Sequence, residues 1–135
     1  MVQELISKKL RTEFCEHLVG WTLRTIRNEF DSADITCDEN YQPGVSGERR
    51  TLVLQYYHTL DCTKPADVKK LLVAFENILN VETERIQSME ISDPRGELDT
   101  IRSAVEKLCK LLHVNNARKP WRGGGLRNGR KTWRS

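Results

Sequence analysis

The apolar residues of this 135-residue chain recur at intervals of three and four positions along most of its length. This spacing places them on one face of an α-helix, whereas a half-buried strand would alternate apolar and polar residues. The clearest stripe comprises Val68, Leu71, Leu72, Phe75, Ile78 and Leu79. We therefore predict that this segment is a core-facing helix and that most of these side chains are buried.

Four other segments carry the same helical period. They are marked by Ile6, Leu10, Phe14 and Leu18, by Leu23, Ile26, Phe30 and Ala33, by Leu52, Tyr56 and Leu60, and by Leu98, Ile101, Val105, Leu108 and Leu112. Residues 51–57 also have the β-branched and aromatic content that suits a strand. Taken together, the segments predict an all-α fold, a compact bundle of five or six helices.

Polar and glycine-containing stretches separate the predicted helices. Thr63-Lys64-Pro65 and Ser92-Asp93-Pro94 are each placed to open a helix, because proline is tolerated in a first turn where its missing N–H is not needed. Gly20 is placed to end the first helix. Residues 34–47 combine Asp, Asn, Pro and Gly and are predicted to form one long loop.

The net charge of +3 conceals an uneven distribution along the chain. Residues 117–135 hold seven basic residues, three consecutive glycines and no acidic residue, so residues 1–116 carry 15 basic against 19 acidic groups. A segment with so much like charge and so few apolar residues cannot bury enough apolar surface to offset the conformational entropy that is lost on folding. We predict a helical domain over residues 1–116 and a disordered basic tail over residues 117–135.

The tail interleaves basic side chains with tryptophans, a combination that suits contact with nucleic acid. Basic groups bind phosphates without sequence preference, and aromatic rings stack on bases. The residues concerned are Arg118, Lys119, Trp121, Arg122, Arg127, Arg130, Lys131 and Trp133. Nucleic-acid binding through the tail is therefore one alternative function, and a merely solubilising terminus is the structural alternative.

Arg11 and His17 supply another alternative, a HEPN-type ribonuclease. Their order and spacing resemble the Arg-to-His motif of these helical enzymes, in which the pair activates a ribose hydroxyl and holds the phosphate. A separation of six residues is a rotation of about 600° around a helix, which directs the two side chains towards different faces. With 13 arginines and three histidines in the chain, such a spacing also arises readily by chance.

We predict no metal, cofactor or disulfide for this chain. Its four cysteines lie far apart without a Cys-x-x-Cys pair, which favours reduced thiols. The acidic residues near the long loop lack the spacing of a calcium-binding loop. No apolar run approaches the roughly 20 residues that span a bilayer, and the N-terminus has no secretory signal. We therefore expect a cytoplasmic protein without membrane contact.

Ser46-Gly47-Glu48-Arg49-Arg50 places two arginines at the start of a predicted helix, where they oppose the helix macrodipole. Adjacent residues lie about 100° apart around a helix, so we predict that the two arginines do different jobs. One is expected to pair with a carboxylate on the next helix, for which Glu76 is the first candidate. The other is expected to project outward beside Tyr57, and these residues are predicted to bind a protein partner.

The same five-residue motif carries a resemblance to the helical N-terminal module of bacterial abortive-infection (AbiJ-like) proteins. The likeness covers about residues 20–80. It further rests on Arg24, Ile26, Phe30, Ala33, Ile35, Tyr56-Tyr57, Leu60-Asp61, Asp67-Val68 and Glu76. The resemblance implies a non-enzymatic interaction or adaptor domain in an anti-phage system, where such modules are usually fused to an effector.

In this chain a glycine-arginine tail stands where those proteins continue into an effector, which is often a HEPN nuclease. We expect the chain to act alone, to pair with a separately encoded effector or a second copy of itself, or to be a remnant of a longer protein.

Removal of residues 117–135 is expected to leave the melting temperature nearly unchanged, because the tail has little apolar area to bury. The melting curves of the full chain and the shortened chain, followed by circular dichroism, test this expectation. A fall of more than a few degrees would show that the tail docks on the helical domain, with Trp121 the first residue to examine.

Overall fold

The computed structural model describes residues 4–117. Within this range the chain forms five α-helices and no β-strand, which confirms the predicted all-α class. The helices are α1 (Lys8–Leu18), α2 (Leu23–Ser32), α3 (Glu48–Tyr57), α4 (Pro65–Ile91) and α5 (Leu98–Ala117). Residues 51–57, whose composition also suits a strand, are helical, and the predicted loop over residues 34–47 is confirmed.

The chain divides into two compact units, Met1–Phe75 and Glu76–Ser135, and the division falls inside α4. The single helical domain expected over residues 1–116 stays a prediction. The 27 residues of α4 extend about 40 Å at 1.5 Å per residue. Residues 65–75 of this helix belong to the first unit and residues 76–91 to the second.

The core of the first unit is built from the predicted apolar faces of α1, α2, α3 and the first part of α4. Its buried side chains include Ile6, Leu10, Phe14, Leu18, Ile26, Phe30, Leu52, Val53, Tyr56, Val68, Leu71, Leu72 and Phe75. The rings of Phe14 and Phe75 stack with their centroids 3.9 Å apart, and those of Phe30 and Tyr56 stack at 4.8 Å. Stacked rings therefore join α1 to α4 and α2 to α3.

Hydroxyl side chains fix the starts of α1 and α2. Ser7 Oγ accepts a hydrogen bond from the Leu10 N–H at 3.1 Å, and Thr22 Oγ1 accepts one from the Thr25 N–H at 3.2 Å. Such caps satisfy backbone N–H groups that have no partner inside the helix. The start of α3 differs, because its N-cap is Gly47 in a left-handed conformation (φ 97°) with no side-chain cap.

The second unit comprises the later part of α4 and α5. Its buried apolar side chains are Ile78, Leu79, Val105, Leu108 and Leu112. Arg102 of α5 pairs with Glu90 of α4, with Nη2 and Oε2 2.7 Å apart. The stripe of residues 68–79 is thus buried as predicted, although its members serve two different units.

The connection between α4 and α5 is longer than Ser92-Asp93-Pro94 suggests. The Asp93 carboxylate accepts hydrogen bonds from the N–H groups of Glu97 and Leu98, at 2.9 and 3.0 Å. Asp93 therefore caps the start of α5, although this helix begins only at Leu98. A turn through Gly96, with φ 69°, separates the capping side chain from the helix that it caps.

Residues 34–47, which we call the strap, link α2 to α3 without regular secondary structure. The strap leaves α2 through Asp34, whose φ of 68° is left-handed, a conformation that Asp tolerates better than most residues. The next residue, Ile35, is buried in the core of the first unit. The strap is therefore anchored at its first turn.

No helix within residues 4–117 has both the length and the apolar character that crossing a bilayer requires. The four cysteines are all free thiols, of which Cys15 and Cys62 are buried. Burial raises the pKa of Cys15 to about 11, so this thiol stays protonated at neutral pH.

Truncation of Phe75 tests the importance of the stacked rings. Phe75→Ala is expected to lower the free energy of unfolding by about 3–5 kcal/mol, the usual range for a buried Phe. Val73→Ala on the same helix is the matched control, because Val73 is 43% exposed and its truncation should change stability by less than about 0.5 kcal/mol. Equal effects of the two changes in chemical denaturation would contradict this account of the core.

Candidate functional site

Arg50, at the start of α3, forms a bidentate ion pair with Glu16 of α1. Its Nη2 lies 2.7 Å from Glu16 Oε1 and its Nε 2.8 Å from Oε2, while Nη1 donates to the Ser46 carbonyl at 3.0 Å. The planar guanidinium matches both carboxylate oxygens at once. The hydrogen bond lowers the pKa of Glu16 and raises that of Arg50. This pair holds the start of α3 beside α1.

The prediction that Glu76 pairs with Arg49 or Arg50 is wrong. Arg50 pairs with Glu16, and Arg49 Nε donates to the backbone carbonyl of Trp21. The prediction assumed that α3 lies beside the next helix along the chain, whereas α3 packs against α1 and α2. Glu76 is half-buried, and desolvation raises the pKa of its carboxyl group.

Arg49 is exposed, and only one nitrogen of its guanidinium group, Nε, forms a hydrogen bond with a described residue. Its Nε donates to the Trp21 carbonyl in the turn between α1 and α2. Among the described residues, no partner engages its Nη1 or Nη2. The two arginines therefore make different contacts: Arg50 meets a carboxylate, and Arg49 presents two N–H-bearing nitrogens at the surface.

The neighbouring tyrosines Tyr56 and Tyr57 both contribute to the interior of the first unit. The Tyr56 hydroxyl donates to Asp31 Oδ1 at 2.8 Å, and the Tyr57 hydroxyl donates to the Arg11 carbonyl at 2.8 Å. Desolvation raises the pKa of both phenols. Tyr57 is thus half-buried, and its hydroxyl is hydrogen-bonded to α1. It does not project outward beside an arginine. Its contact with a partner stays a prediction.

Arg11 and His17 lie on α1, and their side chains contact different residues outside this helix. Arg11 Nη2 lies 2.7 Å from Glu4 Oε1, and the ring of His17 meets the edge of the Trp21 ring at 6.4 Å between centroids. This arrangement agrees with the rotation that six residues produce along a helix.

A polar cleft of about 410 Å³ opens where α2, α3 and the strap meet. Its lining residues are Arg27, Asp31, Asp34, Ile35, Thr36, Cys37, Glu39 and Tyr56. The sequence indicates only a solvated acidic loop here. Within residues 4–117 no group of three His, Cys, Asp or Glu side chains is arranged to hold a metal ion.

A histidine just beyond the end of α3 contacts the strap. His58 Nδ1 lies 2.9 Å from Asp38 Oδ2, and the Tyr41 ring stacks on the His58 ring with centroids 3.8 Å apart and planes 5° apart. These contacts join residues 17 to 20 positions apart, so no motif spacing could have indicated them. The only indication in the sequence was the Asp and Asn content of the loop over residues 34–47.

Replacing Arg50 by Lys is expected to lower the midpoint of chemical denaturation at neutral pH, because Lys cannot reproduce the bidentate contact with Glu16. Glu16→Gln should do the same, and the double variant should lose less than the sum of the two. Arg24→Lys, at an exposed position on α2, is the matched control.

The same pair predicts a pH dependence. Because the pKa of Glu16 is lowered in the folded state, the contribution of the pair is complete above the ordinary glutamate value of about 4.3 and is lost as the pH falls through the lowered value. The parent and Arg50→Lys should therefore converge in stability in strong acid. A difference between them that persists unchanged there would contradict the assignment.

The eight tail residues predicted to contact nucleic acid lie outside the described residues, and their role stays a prediction. The likeness to AbiJ-like modules likewise rests on the motif residues alone. No protein-family model matches this chain, and neither a curated protein nor a solved structure is significantly similar to it.

Proposed function

We propose that this chain is a non-enzymatic helical interaction domain that acts as an adaptor in a bacterial abortive-infection system, in the cytoplasm. Arg49 is the observation that carries the proposal. This exposed guanidinium has its Nε bound to the Trp21 carbonyl, and its two terminal nitrogens have no partner in the described part of the chain.

The contacts of α3 favour a binding role for Arg49 over a structural one. Arg50 and Tyr57 use their polar groups to hold α3 against α1, through Glu16 and the Arg11 carbonyl. Arg49 contributes one hydrogen bond to the fold and keeps the rest of its donors for solvent or a partner. A side chain that is already oriented loses less conformational entropy when it binds.

The chemistry of Arg49 defines the partner group. A planar guanidinium with two outward nitrogens is suited to a carboxylate, which it can contact through parallel N–H···O bonds. We therefore place an Asp or Glu side chain of a partner protein at this position. The biological setting, phage defence, is supported by the likeness of residues 20–80 to AbiJ-like modules.

The contacts on α1 favour the adaptor over a HEPN-like ribonuclease. Arg11 is paired with Glu4, and the ring of His17 meets the edge of the Trp21 ring. Nucleic-acid binding is the second candidate. Its support is the sequence of residues 117–135, in which seven basic residues and two tryptophans occur without an acidic residue.

Capture of a partner from the native bacterium tests the proposal. The parent chain and Arg24→Ala should retain the same protein, whereas Arg49→Ala should weaken its retention by about tenfold, as expected for an interface arginine worth more than 1 kcal/mol. Arg24 is the control because it is also an exposed arginine on a neighbouring helix.

Two outcomes would contradict the adaptor. Undiminished retention by Arg49→Ala would show that this guanidinium is not the binding group. Retention of RNA that depends steeply on salt concentration and disappears when residues 117–135 are removed would instead favour the nucleic-acid-binding candidate.

A further inference from the structure

We infer that the polar cleft between α2, α3 and the strap binds a basic α-amino acid, either free or as the last residue of a peptide. The cleft presents one cationic and three anionic side chains, and a basic amino acid offers the complementary set, a carboxylate together with cationic groups. The inference is independent of the proposed adaptor function and of Arg49, which lies outside the cleft.

Four charged side chains line the cleft and are available to a ligand. Arg27, Asp34 and Glu39 form no ion pair with a described residue. Asp31 accepts the hydrogen bond of the Tyr56 hydroxyl on Oδ1 at 2.8 Å, which holds its carboxylate in place. With one basic and three acidic side chains, the lining has a net charge of −2, so a ligand with more positive than negative charge is favoured.

The charges of the two walls act on the same part of the cleft. The Cys37 thiol lies in the strap wall, and desolvation raises its pKa. The positive charge of Arg27, from α2, opposes this rise, whereas the negative charges of Glu39 and Asp31 add to it. Both signs of charge are therefore close to one another across the cleft, and one ligand can meet both.

The spacing of the charges favours an extended ligand over a single ion. Arg27 and Asp31 are one turn apart on α2, about 6 Å along its axis, and Asp34 follows just beyond the end of this helix. In the described part of the chain, no three acidic, Cys or His side chains are arranged around one metal position. A lysine ligand carries its charges at the two ends of a flexible four-carbon stem. Its carboxylate can pair with the Arg27 guanidinium while its cationic groups meet the carboxylates.

The strap wall of the cleft is already held against α3. The Thr59 hydroxyl donates to the Thr36 carbonyl at 2.9 Å, and the Asp38 N–H donates to the Gln55 carbonyl at 3.1 Å. The Cys37 thiol donates to Gln55 Oε1 at 3.7 Å. A pre-formed wall loses little conformational entropy on binding. The cleft volume of about 410 Å³ lies within the range of about 300–1,000 Å³ that is typical of small-ligand sites.

Titration of the full chain with L-lysine at constant ionic strength tests the inference, with the amide NMR signals of Thr36, Cys37 and Glu39 as reporters. We expect a dissociation constant of about 1–10 mM, because ion pairs at an exposed site are individually weak. L-lysine amide, whose carboxylate is replaced by a neutral amide, should bind about fivefold more weakly. L-norleucine, which lacks the side-chain ammonium, should be weakened to a similar extent.

Three variants identify the groups responsible. Arg27→Gln should weaken the binding of L-lysine by about fivefold without weakening that of L-lysine amide. Asp34→Asn should weaken both ligands, and Asn tolerates the left-handed backbone at this position. Arg24→Gln, at an exposed position on α2 outside the cleft, is the matched control and should bind both ligands as the parent does.

Nα-acetyl-L-lysine distinguishes the two sources of the ligand, because it keeps the carboxylate and the side-chain ammonium but lacks the α-ammonium. Binding as tight as that of L-lysine would identify the last residue of a peptide, and weaker binding would identify the free amino acid. Both results agree with the inference. It would be overturned if L-lysine shifted none of the cleft signals, or if the parent, Arg27→Gln and Asp34→Asn bound L-lysine equally.

Discussion

The first unit depends on a continuous series of aromatic contacts. Phe14 stacks on Phe75, the edge of Tyr57 meets Phe75 and Phe30, and Phe30 stacks on Tyr56. These five rings belong to four helices, and the series joins α1 to α4, α4 to α3 and α3 to α2. Large rings bury more apolar area than any other side chains, and their edge and face geometry fixes the relative placement of the helices.

The position of α3 in this series determines what its first turn can do. Because Tyr56 and Tyr57 fix the C-terminal end of the helix in the core, its N-terminal end is brought to the turn between α1 and α2. Arg50 then forms an ion pair with Glu16, and Arg49 donates a hydrogen bond to the Trp21 carbonyl. The unfavourable placement of two arginines at a helix start is offset by these contacts, and one guanidinium keeps an outward face.

The end of α3 organises the strap in a comparable way. Gln55 and His58 present an amide and an imidazole to a segment without regular secondary structure, and the strap forms hydrogen bonds with both side chains. One helix of ten residues thus positions the exposed Arg49 at its start and the cleft wall at its end.

The sequence by itself determined the helical class, the buried faces and the strap, because these follow from local periodicity, capping and turn chemistry over a few residues. Only the tertiary structure decided the partners of Arg50 and His58. Helical spacing gives the face on which a side chain lies but not which helix covers that face, so Glu76 was the wrong partner and Glu16 the right one. Contacts such as Asp38 with His58 depend on how the strap folds back on α3, which no local pattern encodes.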